Sequence, residues 1–194
     1  MTDHTVKAFS EQLEGLSALV AQMGGLAEAQ MAAAIEAIAR RDSAAAETAV
    51  GGDARIDAIQ QEIEDRALKL LALRQPMAVD LRETLAAIKT AAELERIGDL
   101  AKNIAKRALV LNREPPIRLT QSLARMGKVA LSQLKLVLDA FSNRNAEEAE
   151  RVWNQDGEID EIYNSLFREL LTYMMEDPRT IGLCTHLLFI AKNI

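Results

Sequence analysis

The sequence predicts an all-α protein: a tandem repeat of two antiparallel three-helix bundles, the second incomplete. Three observations carry this. Aromatic residues make up only 4% of the 194-residue chain, with 4 Pro and 9 Gly, while Ala, Leu, Glu, Lys and Arg abound, a mixture that favours helix nearly everywhere. Apolar residues recur at spacings of three and four over long windows. The pattern also repeats itself: Asp53, Ile56, Asp57, Ile59 and Ile63 align with Asp156, Ile159, Asp160, Ile162 and Leu166, each pair 103 positions apart.

The first helix is expected from about Thr5 to Arg41, with Phe9, Leu13, Leu16, Val20 and Met23 continuing into Met31, Ile35 and Ile38. Gly24-Gly25 interrupts the pattern and offers a bend. Arg40 and Arg41 suit a helix C-terminus, and Asp42-Ser43 supplies the next N-cap. A second helix then runs to about Leu73 on the stripe Ile56, Ile59, Ile63, Ala67 and Leu70. Gln75-Pro76 breaks it, because the residue before proline leaves the α region. A third helix spans about Ala78 to Leu111, and Glu114-Pro115-Pro116 is a stiff linker. Two units follow, residues 1–112 and 113–194.

In the second unit one helix is expected from Leu119 to about Asn143 and another from Ala146 to Met175, with a break at Asp177-Pro178 and a third helix from Ile181. Ile88, Ala91 and Leu94 align with Leu188, Ala191 and Ile194 at an offset of 100. Helices of about 30 residues span roughly 45 Å, and short connections imply antiparallel neighbours.

Bulk properties exclude several classes. Hydrophobic content of 49% with 27% charged residues belongs to a globular protein. A net charge of −6 argues against a general nucleic-acid binder. The single Cys184 asks for no oxidising compartment. No export signal or membrane span is evident, so a cytoplasmic protein is expected.

The candidate site is acidic. In the third helix Leu81, Leu85, Ile88 and Ala92 read as a core stripe, which Glu95, Asp99 and Asn103 would continue. Leu94, Ile97, Ala101, Ile104, Ala108 and Leu111 then form a new stripe on nearly the opposite side. Like charges four apart cost about 0.2–0.5 kcal/mol, and Arg96, Lys102 and Lys106 stand near enough to offset some of it. Asp53 and Asp57 form a matching pair on the second helix, and Asp156 and Asp160 repeat them. Four convergent carboxylates repel unless a cation lies between them, and all-oxygen donors suit Mg²⁺, Ca²⁺, Mn²⁺ or iron. The bland alternative is a solvated helix face.

Other residues have plainer readings. His186 reads as a packed or interfacial histidine, Cys184 as a small buried residue, Trp153 (aligned with Val50) as packing, and the methionines as gap fillers. No Gly-rich phosphate cradle appears. A carboxylate-bridged di-iron enzyme would need Glu-x-x-His motifs, and the residues three before His4 and His186 are Met1 and Leu183.

The segments VKAFSEQLEGL, LRQPMAVDLR, ELERIGDLAKNIA and DPRTIGLCTHLLFIAKNI resemble the PhoU family of regulators of bacterial phosphate uptake, over the whole chain. The third looks like the family's acidic signature, and the fourth like the approach to a second copy, expected just after Ile194, so the chain reads as C-terminally truncated. The resemblance implies two three-helix bundles and no enzymatic activity. It implies an adaptor that restrains the phosphate-starvation response, linking a phosphate ABC transporter (its ATPase subunit) to a membrane-bound sensor histidine kinase. Such a protein would be a cytoplasmic homodimer that meets the membrane only through partners. Iron or zinc clusters carried over by position would use Glu95, Asp99, Asp53 and Asp57, and Asp156 and Asp160 in the second unit. A plain structural dimerisation bundle is the competing reading.

Overall fold

A computed structural model describes residues 2–74, 78–116 and 119–194 of the chain, with side chains described from residue 10 onward except at 74 and 78. The described residues form seven α-helices and no strand: α1 Thr2–Arg40, α2 Ser43–Arg74, α3 Ala78–Leu111, α4 Thr120–Ser142, α5 Ala146–Trp153, α6 Asp156–Glu176 and α7 Ile181–Asn193, with a 3₁₀ turn at Pro178–Thr180 before α7. Helices α1, α2 and α3 pack on one another as one bundle. Helices α4, α6 and α7 form the second, and α4 also lies against α1. The expected break at Gln75-Pro76 lies outside the described residues.

The α1–α2 corner shows why the chain turns there. Arg41 takes φ 57°, a left-handed conformation that ends a helix. The Asp42 N–H reaches back to the Ala37 carbonyl at 3.1 Å, satisfying an acceptor at the helix end. Asp42 then caps α2, its Oδ1 accepting the N–H groups of Ala44 (2.9 Å) and Ala45 (3.1 Å). The second unit repeats the device. Arg144 takes φ 51°, and Asn145 accepts the Glu148 N–H at 3.1 Å. The Asn145 N–H reaches the Ala140 carbonyl at 2.8 Å. The two arginines serve different neighbours. Arg41 donates to the Asn112 carbonyl at 3.0 Å and to that of Glu114, tying down the linker, while Arg144 pairs with Glu83 of α3 at 3.1 Å.

The 103-residue offset extends to side-chain packing. A Cβ added at Gly24 of α1 would stand 2.6 Å from a Leu138 methyl of α4, and one added at Gly127 of α4 would stand 2.6 Å from Ile35 of α1. Positions 24 and 127, and 35 and 138, are again 103 apart, so α1 and α4 cross antiparallel about a pseudo-twofold relation. Each glycine admits the other helix's branched side chain. Gln30 and Gln133 form a further equivalent pair. Gln30 donates to the Ala49 carbonyl (2.8 Å), Gln133 to that of Gln155 (3.0 Å).

The core is shared between the halves. One buried cluster joins Ile35 and Ile38 of α1, Ala49 of α2 and Ile104 and Ala108 of α3 to Leu123 and Met126 of α4, Leu166 and Leu170 of α6, and Leu187 and Ile190 of α7. A second cluster fills the other end of the first bundle, around Met23, Ile56, Ile63 and Leu94. Between α3 and α7 the Arg107 guanidinium lies 4.1 Å from the centroid of the Phe189 ring and 3.3 Å from His186 Nδ1. His186 is thus an interfacial histidine, and Cys184 is buried, as expected.

Several sequence expectations are corrected. Helix α1 runs through Gly24-Gly25 unbroken. The helix expected from Ala146 to Met175 is two, α5 and α6, separated at Asn154-Gln155. The Gln155 carbonyl there accepts the Gln133 amide at 3.0 Å as well as the Glu158 N–H at 3.2 Å, and Asp156 and Glu158 put negative charge in the first turn of α6, where it suits a helix start. Trp153 closes α5 and is 82% exposed, while its neighbour Val152 is buried, so Trp153 is not core packing. Met23, Met31 and Met126 fill the core, but Met175 is exposed.

The largest correction concerns α3. Leu81 and Leu85 are exposed, as is Ala92. The buried line is Thr84, Ala87, Ala91, Leu94, Gly98, Ala101, Ala105 and Ala108, an unbroken alternation of three and four. The buried face does not change sides halfway along. Alanine, glycine and threonine carry it because α1 and α2 pack closely there. A Cβ at Gly98 would stand 3.0 Å from Ile56 and 3.2 Å from the Gln30 carboxamide oxygen. The same line recurs in α7, where Cys184, Leu187 and Ala191 are buried at an offset of 100 from Thr84, Ala87 and Ala91.

Candidate functional site: a charged face between the second and third helices

Continuity of the α3 stripe puts Glu95 and Asp99 on its flank, one position beyond the buried Leu94 and Gly98. The flank faces α2, where Asp53 and Asp57 stand beside Ile56. Asp53 is 8% exposed, and Asp57, Glu95, Asp99 and Lys102 are partly buried. The charges of Asp99, Asp57 and Asp53 all act on Glu95, so the four acids share one face.

The cation among them is Lys102. Its ammonium donates to Asp53 Oδ2 across the helix pair and to Asp99 Oδ1, one turn back on α3, at 3.2 Å. Among the described residues no group of three or more His, Cys, Asp or Glu side chains is placed to hold a metal ion. Arg96 and Lys106, expected to share the compensation, are both exposed. Lys102 had a sequence signal in its i, i+3 spacing from Asp99. Its bond to Asp53 had none, because that depends on how α2 and α3 are rotated against each other.

The electrostatics follow. Burial raises the Glu95 carboxyl above its ordinary value of 4.5, and the charges of Asp99, Asp57 and Asp53 raise it further, against a smaller opposing pull from Lys102. Burial and then Asp53 raise Asp57 in the same way. The bonds to Asp53 and Asp99 raise Lys102, so it stays charged. A carboxyl whose pKa is higher folded than unfolded holds its proton more tightly in the fold, so its contribution to stability falls as pH rises through the folded value. Glu95→Gln is therefore expected to stabilise the protein at neutral pH. The like-charge repulsion it removes sets the size at about 0.5 kcal/mol, or about 1–2 °C in Tm. The gain should close as pH drops below the ordinary glutamate value. Melting curves of both proteins across that range check this.

The second acidic pair differs. Asp156 and Asp160 are exposed on the first turns of α6, and α7 carries no Asp or Glu to face them. The structure does not bring them to the first face.

Fold and site together define a duplicated helical-bundle protein with a charged seam between two long helices. The PhoU domain matches residues 20–108 and again 123–194. The chain belongs to the PhoU family. It is 57% identical over 195 residues to the phosphate-specific transport system accessory protein PhoU homolog of Caulobacter vibrioides (strain NA1000 / CB15N), covering 100% of this chain and 85% of that protein. The crystal structure of PhoU from Pseudomonas aeruginosa superposes with a TM-score of 0.93 at 34% identity, covering 95% of this chain and 89% of that one. That of the phosphate transport system regulatory protein PhoU from Streptococcus pneumoniae gives 0.87 at 31% identity, covering 95% and 87%.

Proposed function

We propose that this chain is an accessory regulator of phosphate transport. It acts as an adaptor that restrains the phosphate-starvation response by linking the ATPase subunit of a phosphate ABC transporter to a sensor histidine kinase. The observation that carries this reading is the 57% identity, along the whole chain, to a relative named as an accessory protein of the phosphate-specific transport system. The architecture suits the role. Long helices locked by a shared core make a rigid body, and the seam of Asp53, Asp57, Glu95 and Asp99 against one Lys102 leaves three net negative charges for basic partner surfaces. No helix among the described residues is long and apolar enough to cross a membrane; in this reading the chain meets the membrane only through its partners. Shifting the kinase between two activity states takes a coupling of about 1–3 kcal/mol.

The test is complementation. In a bacterium lacking its own family member, the chain should return a phosphate-starvation promoter to repression in phosphate-rich medium. It should also co-purify with the transporter ATPase subunit or the kinase. A chain that is expressed and folded but captures neither and leaves the promoter active is a structural bundle, and the adaptor reading fails.

A further inference from the structure

The acidic seam carries its own cation at the place where a metal ion would bring its carboxylates together. Asp53 is the most buried of the acids, with a side chain 12% exposed, and its bond is to the ammonium of Lys102, itself 27% exposed. Asp99 is held by the same ammonium from the adjoining turn. A divalent ion needs several oxygen ligands at about 2.0–2.6 Å. With Asp53 and Asp99 engaged, Asp57 and Glu95 are left, one on each helix. An ion bridging all four would have to share carboxylates with the ammonium, and two cations that close repel strongly in a partly buried seam.

We infer that Lys102 is the built-in counter-ion of this face, standing in for a bound metal: the seam is metal-free as the protein stands and becomes a divalent-cation site when the lysine charge is removed. This is independent of the adaptor reading, since it concerns what neutralises the seam and not what docks on it.

The experiment uses the full chain stripped with chelator, then titrated with Mn²⁺ alone by calorimetry and by melting. The wild type should show no saturable Mn²⁺ binding at the seam and no Mn²⁺-dependent rise in Tm. Lys102→Ala should melt lower than wild type in chelator, regain Tm with Mn²⁺, and bind it at least tenfold more tightly than the wild type does. Lys102→Arg should behave as wild type. Adding Asp57→Asn and Glu95→Gln to Lys102→Ala should abolish the Mn²⁺ response. If Lys102→Ala does not fold, Lys102→Ala with Asp53→Asn removes both buried charges together and keeps Asp57, Glu95 and Asp99 as ligands. That variant should then show the gain. Saturable wild-type binding that Glu95→Gln weakens overturns the inference. So does a foldable lysine-free variant that binds Mn²⁺ no better than wild type.

Discussion

Ile104→Ala is expected to lower stability by about 3 kcal/mol, and Tm by about 6–12 °C, in one transition that takes both halves of the protein with it. Ile104 is fully buried and lies in the cluster that draws on α1, α2, α3, α4, α6 and α7. Removing three of its carbons leaves a cavity inside this shared cluster, which long helices cannot collapse into without shifting one another. A chain whose units had separate cores would split into two transitions, the second untouched by the substitution. Denaturation followed by helix content and by calorimetry distinguishes the outcomes. One loss shared by both probes supports a common core, and a residual transition at the wild-type midpoint contradicts it.

The second large effect falls at the α1–α4 crossing. Gly127→Val is expected to cost about 2 kcal/mol, or about 4–8 °C, even though valine is a better helix former than glycine by a few tenths of a kcal/mol. The clash decides the sign. A Cβ at Gly127 meets three atoms of Ile35, at 2.6, 2.7 and 3.0 Å, and two of them are bonded directly to the Ile35 Cβ, so the whole residue must move. The pseudo-equivalent Gly24 meets the tip of Leu138, which can change rotamer. Gly24→Ala should therefore be far milder, its propensity gain of about 1 kcal/mol offsetting the contact. Equal losses at the two glycines, measured by chemical denaturation, would contradict this account of the crossing.

Much of this fold is legible in the residues. The Asp42-Ser43 cap, the 103-residue offset and the linker at Pro115-Pro116 are local signals, and local signals survive folding. The buried face of α3 is a different matter. Leu81 and Leu85 look like core by size, yet the close approach of α1 and α2 selects Thr84, Ala87, Ala91 and Gly98, whose smallness is the point. The α5–α6 break is hidden because Asn154-Gln155 stands where the first unit has Gly51-Gly52, which stay helical inside α2. A glycine pair is the stronger breaker by propensity, so tertiary packing overrides it in one unit and not in the other. Convergence of Asp53, Asp57, Glu95 and Asp99 could be read from paired spacings on neighbouring helices. The partner of Asp53 could not, because it depends on the rotation of α3, which the two exposed leucines misreport.

The adaptor account rests on the seam between α2 and α3 being the surface that partners meet, and affinity measures that most directly. Binding of the transporter ATPase subunit and of the kinase should be titrated against wild type and against Asp57→Asn combined with Glu95→Gln. Neither substitution removes a hydrogen bond to Lys102, and both remove carboxyls whose ionisation opposes folding, so a melting curve at or above that of the wild type separates lost binding from lost structure. The account predicts at least tenfold weaker binding to one partner or both, about 1.4 kcal/mol, with a wild-type affinity that falls as salt is raised. Unchanged affinity for both partners would contradict it.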